Sequence, residues 1–109
     1  MSIYETREAA IENKDVEAYL DTLHEDFIFV SHIDSKEINR ADACEMFTML
    51  MTNDNFVTHE SRCLYENDDV IVEHGVMSFP DGSREAVLSF HEKKDGKVVR
   101  METGATVLS

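Results

Sequence analysis

The side chains best suited to move protons in this chain are five histidines, His24, His32, His59, His74 and His91, joined by two cysteines, Cys44 and Cys63. His74 is the candidate catalytic residue. The turns described below pair it with Ser61 on one neighbouring strand and Leu88 on the other; Thr103 continues the row and His59 lies one pair along. An imidazole flanked by hydroxyls on an apolar surface can act as a general base or hold a ligand carbonyl. The plainer alternative is a core histidine satisfied by Ser61 or Thr103. Tyr19, Ser31, His59, Ser61, Cys63, Leu88, Phe90, Met101 and Thr103 are the candidate pocket residues around it. His32 and Asp34 stand two apart, the spacing of a His–carboxylate pair on one strand face, although Asp34 equally suits a turn cap. Arg7, on an apolar helix face, could clamp an acidic ligand or pair with one of many nearby acids. Cys63, with Val72 and Phe90 as expected neighbours, has the raised thiol pKa of an inert cysteine. No HxH, HxxH, HxxxH or CxxC spacing occurs, so neither a metal site nor a cofactor is expected.

These groups depend on the elements that carry them. Ile3, Arg7, Ala10 and Ile11 repeat at helical spacing over residues 3–13. Asp15 caps a second short helix with Val16, Tyr19, Leu20 and Leu23 on its apolar side, and residues 27–33 read as a strand turned by Asp34-Ser35-Lys36. Asn39, with Asp42 three residues on, opens a helix reaching about residue 52. After Asn55, four strands are divided by three turns. Asn67-Asp68 as a two-residue turn sets Cys63 opposite Val72, Ser61 opposite His74 and Arg62 opposite Glu73. Pro80-Asp81-Gly82 sets His74 opposite Leu88, and Asp95-Gly96 sets Leu88 opposite Thr103 and Phe90 opposite Met101. In that register one sheet face carries Cys63, Tyr65, Val70, Val72, Val76, Ala86, Leu88, Phe90, Val99, Met101, Ala105 and Val107. The opposite face mixes Glu60, Arg62, Glu73, His91, Arg100 and Glu102 with Ile71, Met77, Phe79 and Val87.

The 109 residues, 42% apolar and 30% charged, suit a single domain spanning 1–109. With 10 basic against 23 acidic residues the net charge is −13, which disfavours nucleic acid and anionic membrane as partners. No apolar run approaches a membrane span, the first residues lack the pattern of a signal peptide, and a cytoplasmic location is expected.

Four segments resemble the SnoaL-like branch of the NTF2-like superfamily: Glu12-Asn13-Lys14-Asp15-Val16-Glu17-Ala18-Tyr19, Leu23-His24-Glu25-Asp26-Phe27, Asn39-Arg40-Ala41-Asp42-Ala43 and Asp95-Gly96-Lys97-Val98-Val99-Arg100. The resemblance implies an α+β, cystatin-like cone, with N-terminal helices on the concave face of a curved antiparallel sheet and a pocket between them. Aligned without gaps from Asp15 and Gly96, the ketosteroid isomerase tyrosine falls on Arg7, the base aspartate on Ser31 or His32, and the second acid on Leu88, so the isomerase's catalytic set is not kept. It further implies a small apolar or carbonyl-containing ligand, with an isomerase, cyclase, dehydratase or hydrolase using His74 as the alternative. A homodimer through the outer sheet face is the expected assembly.

Overall fold

A computed structural model describes residues 2–109. Helix α1 (Ile3–Glu12) starts where Ser2 and Glu5 cap each other: Ser2 Oγ accepts from the Glu5 amide at 3.1 Å, and Glu5 Oε1 accepts from the Ser2 amide at 3.0 Å. Asp15 caps α2 (Val16–Leu20) and Asn39 caps α3 (Arg40–Met51), each accepting from the amide three residues on. The strands are β1 (Leu23–Ser31), β2 (Glu37–Asn39), β3 (Val57–Glu66), β4 (Val70–Ser78), β5 (Arg84–Lys94) and β6 (Lys97–Val107). Strand β2 was not expected; it pairs Ile38 with Phe29 just before α3 begins. Among the described residues the strands form one sheet in the order β2-β1-β6-β5-β4-β3, and β1 runs parallel to β6. The α+β cone is therefore as expected, but its sheet is mixed rather than antiparallel throughout.

Register departs from expectation in two of the three hairpins. The Asn67 carboxamide oxygen accepts from both the Asp69 and Val70 amides at 2.8 Å, so Asn67 begins the turn instead of forming its centre. Tyr65 then faces Val72, an extra residue at Leu64 leaves Cys63 opposite Glu73, Arg62 opposite His74 and Ser61 opposite Gly75, and a second at His59 sets Thr58 opposite Met77. The β4–β5 pairing holds, with His74 opposite Leu88. Between β5 and β6 the Asp95-Gly96 turn is in place and Lys94 faces Lys97, but Val99 is an extra residue; beyond it Leu88 faces Gly104 and Phe90 faces Glu102.

A bulge reverses the facing of its own strand, so those on β3 and β6 keep Ser61, Met101 and Thr103 inward while β4 and β5, paired as expected, turn over together. The inner set is Ile71, Glu73 and Met77 on β4, Val87, Ser89 and His91 on β5, and Val98, Met101, Thr103 and Ala105 on β6. Ile71, Met77, Val87, Glu73 and His91 therefore lie on the opposite side from that predicted, whereas Leu88, Phe90 and Tyr65 face outward, 52%, 37% and 57% exposed. Against this inner face α1, α2 and α3 pack Ala10, Tyr19, Ala43, Phe47 and Met51 onto Leu23, Phe27, Ile71 and Val98. Phe47 is the centre of this packing, edge-on to Tyr19 at 5.2 Å and to Phe29 at 5.9 Å. Burying Phe27 fully contributes on the order of 2–3 kcal/mol.

Candidate functional site

Between the helices and the inner sheet face lies a cavity of 260 Å³. Phe29, Met46, Phe47, Leu50, Met51, Phe56, Met77, Val87, Met101 and Ala105 form its apolar wall, and Glu8, Tyr19, Ser31, Ser61, Glu73, Ser89 and Thr103 supply polar atoms. An outer cleft of 510 Å³, bounded by Glu12, Lys14, Asp54, His59 and Glu60, shares Glu8, Ile11, Met51, Phe56, Thr58 and Ser61 with the cavity. Those shared residues join the two spaces. An apolar enclosure with a few convergent polar groups is the usual form of a small-molecule site.

The polar side chains concentrate at the α1–β4 end. Arg7, 3% exposed, donates from Nη2 to the Tyr19 hydroxyl, lies 3.6 Å from Met101 Sδ, and has its guanidinium carbon 4.8 Å from the Tyr19 ring centre. Its Nη1 is buried with no hydrogen-bond partner among the described residues. Because the Tyr19 oxygen accepts from Arg7, its own O–H proton is free to be donated. Burial holds the Tyr19 pKa above its ordinary value, with Arg7 pulling against it. On β4, burial likewise raises the pKa of Glu73; Arg7 opposes the shift, and the charges of Glu8 and Glu66 add to it. His91, fully buried, holds Nδ1 3.3 Å from the Ile71 carbonyl and Nε2 3.5 Å from Glu73 Oε1. Its pKa is pulled down to about 3, first by burial and then by Arg7, so the ring is neutral near pH 7. At the rim Tyr4 Oη and Ser61 Oγ are 2.9 Å apart, and burial raises the Glu8 pKa against a bond from Ser61. A neutral imidazole, a carboxyl group that resists ionising and a polarised phenol make up a set able to orient a carbonyl and exchange protons with it.

Of the residues named from the sequence, Tyr19, Ser31, Ser61, Met101 and Thr103 line the cavity. The remaining candidates are corrected. Leu88 and Phe90 face outward because residue 71, not 70 or 72, points to the core. Cys63 is an exposed free thiol, with its pKa raised first by burial and then by Glu66, and His59 lies in the outer cleft, 2.7 Å from Ser78 Oγ. His74 does not join Ser61 and Thr103 in a row; it sits between Arg62 and half-exposed Leu88, and the alternation that carries Glu73 inward carries it outward. Strand β4 at His74 and Gly75 still forms part of the cavity wall. The His74 Nδ1 atom is enclosed and without a partner among the described residues. Asp34 Oδ1 caps its turn by accepting from the Lys36 amide, and His32 Nε2 lies 3.0 Å from Glu102 Oε1 instead. Glu73 and His91 were assigned to the outer face, and Glu8 was not singled out; Val70, Ile71 and Val72 make both faces of β4 apolar, so alternation gave no signal for the side on which Glu73 and His91 lie.

A family model described as a SnoaL-like domain matches residues 5–101. No curated protein matches the chain. Among solved structures, an NTF2-like protein of unknown function from Mesorhizobium loti superposes with a TM-score of 0.78 at 14% identity, covering 95% of this chain and 88% of that one. A putative ketosteroid isomerase from Kribbella flavida gives 0.75 at 18% identity, covering 98% and 77%. An epoxide hydrolase from M. tuberculosis gives 0.69 at 11% identity, covering 95% and 80%. At these identities the likeness establishes the fold and leaves the chemistry to the residues.

Proposed function

We propose, on the premise that the chain belongs to the SnoaL-like domain family, that its cavity binds a small, largely apolar molecule carrying a carbonyl oxygen. The observation that carries this reading is the 260 Å³ enclosure itself, largely apolar along its walls, with Tyr19 and Glu73 among its polar lining. That volume lies just under the range of drug-sized sites, so the ligand is of compact bicyclic size. The test is calorimetric titration with 1-tetralone, a bicyclic aryl ketone. Saturable binding is expected in the wild type and its loss in Ala105→Phe, where the added ring fills the cavity; binding unchanged by that substitution would place the ketone elsewhere.

A catalytic reading gains support from Glu73, whose raised pKa and place on the wall suit it to proton exchange better than His74. Deuterium uptake at the carbon next to the tetralone carbonyl should then be faster with wild type than with Glu73→Gln; equal rates would exclude it. The proposed assembly is a homodimer through the outer sheet face, supported by exposed Tyr65, Leu88 and Phe90. Light scattering at micromolar concentration should give twice the chain mass, and a monomer would remove the dimer. The cytoplasm is the proposed compartment, supported by the two free cysteines; no helix among the described residues is long and apolar enough to cross a membrane.

A further inference from the structure

The His91 ring lies beside two groups that accept hydrogen bonds. Nδ1 is 3.3 Å from the Ile71 carbonyl oxygen and Nε2 is 3.5 Å from Glu73 Oε1, while the ring itself is 0% exposed. A neutral imidazole has one N–H, and a carbonyl can only accept, so the Ile71 contact claims the ring proton for Nδ1. Nε2 is then a buried lone pair, and it has no hydrogen-bond partner among the described residues. An ionised Glu73 would set a second lone pair against it. A doubly protonated ring would satisfy both contacts, but it would place a buried cation near Arg7, itself 3% exposed.

We propose that Glu73 stands in the cavity as a carboxylic acid whose Oε1–H is aimed at His91 Nε2, leaving Oε2 as an uncharged acceptor for a ligand hydroxyl or N–H. At 3.5 Å the contact is longer than an O–H···N bond, and rotation of the Glu73 side chain, which is 20% exposed, closes it. His91 is thus a positioning residue, acting through Glu73. The inference rests on the reading of the cavity as a small-molecule site and deepens it. The ligand is neutral, carries a carbonyl for the Tyr19 O–H, and carries a donor for Glu73. The environment is consistent with an un-ionised acid: Tyr4, Arg7 and Glu8 face it from α1, Tyr19 from α2, and Cys63 and Glu66 from β3, with Lys93 of β5 bound to Glu66. Of these Arg7 alone opposes the effect of burial on Glu73, whereas Glu8 and Glu66 reinforce it.

Two measurements test the assignment separately from the cavity reading. In ligand-free protein with ¹⁵N-labelled histidine, long-range NMR couplings at about pH 6 should show His91 protonated at Nδ1 and bare at Nε2. As Glu73 ionises at higher pH, the carboxyl proton leaves to water and the ring proton relocates to Nε2. Glu73→Gln, whose amide donates to Nε2 at every pH, should keep the Nδ1–H form throughout. An Nε2–H or doubly protonated ring in the wild type at about pH 6 would overturn the proposal. For the ligand class, 4-hydroxy-1-tetralone should bind about tenfold more tightly than its 4-methoxy ether, and equal affinities would overturn the donor requirement. If neither tetralone binds, the cavity reading fails while the NMR result stands on its own.

Discussion

The two faces of the sheet carry charge in opposite ways. On the outer face Arg100 Nε meets Glu102 Oε2 at 2.8 Å, Arg100 Nη1 lies 3.7 Å from Glu37, and His32 meets Glu102 at 3.0 Å, all beside solvent. The bonds from Arg100 and His32 hold the Glu102 pKa below its ordinary value. On the inner face His91, and against it Arg7 of α1, are buried with Nε2 and Nη1 unpartnered among the described residues, and burial raises the Glu73 pKa above its ordinary value. Paired, hydrated charges cost little and stabilise little, whereas buried, half-satisfied groups are kept at a cost to stability. The difference separates a face whose charges are met by one another and by solvent from one whose buried polar groups are incompletely met.

The largest expected effect comes from two adjacent residues on β5. Val87→Asp places a charge on the inner wall and should cost about 4 kcal/mol in urea unfolding, whereas Leu88→Asp, at a 52% exposed outer position, should cost under about 1 kcal/mol at concentrations too dilute for dimers. Equal costs would erase the distinction between the faces.

Acid should next expose the inner face. The folded protein holds the His91 pKa at about 3 against an ordinary 6.5, so the unfolded chain takes up the proton first. Stability is therefore retained above about pH 6.5 and lost as pH falls toward 3, by a few kcal/mol at most. In His91→Gln that component of the slope should vanish from pH-dependent denaturation, whatever the variant's baseline stability; an unchanged slope would assign the acid sensitivity elsewhere.

A smaller contrast is expected between the two arginines. Arg7→Met deprives the Tyr19 hydroxyl of its donor and Glu73 of its nearby cation, and should cost about 2 kcal/mol while raising the Glu73 pKa further. Arg100→Met loses only exposed pairs and should cost about 0.5 kcal/mol. Chemical denaturation of both variants side by side measures the contrast, and matching losses would contradict it.

Much of the frame is legible in the sequence because caps and turns are local. Asp15, Asn39 and the Asp95-Gly96 pair mark their elements by side-chain chemistry alone, and the β4–β5 register follows from Pro80-Asp81-Gly82. The faces were not legible, because β4 is apolar on both sides: Val70 and Val72 alternate with the more deeply buried Ile71. Leu64 and Val99, whose bulges set the facing of β3 and β6 relative to β4 and β5, are ordinary strand formers and carry no signal of their own. Asn67 carried a signal for the turn but not for the faces, since asparagine commonly accepts from the amide two residues ahead, as it does here from Asp69, and the resulting two-residue change of register leaves each side chain on its side. Tyr19, Ser31, Ser61, Met101 and Thr103 line the cavity, and Glu73 and His91 were missed because β4 and β5 turn over together.

The inward facing of β4, and with it the identity of the cavity, is tested most directly by NMR of ¹³C-methyl methionine during titration with 1-tetralone. Met46, Met51, Met77 and Met101 line the cavity, whereas Met49, on α3, is 73% exposed. Saturable shifts of the four cavity methyl signals, Met77 among them, with Met49 unmoved are the predicted result. Saturable binding that leaves Met77 unmoved, or that moves Met49 alone, would contradict it.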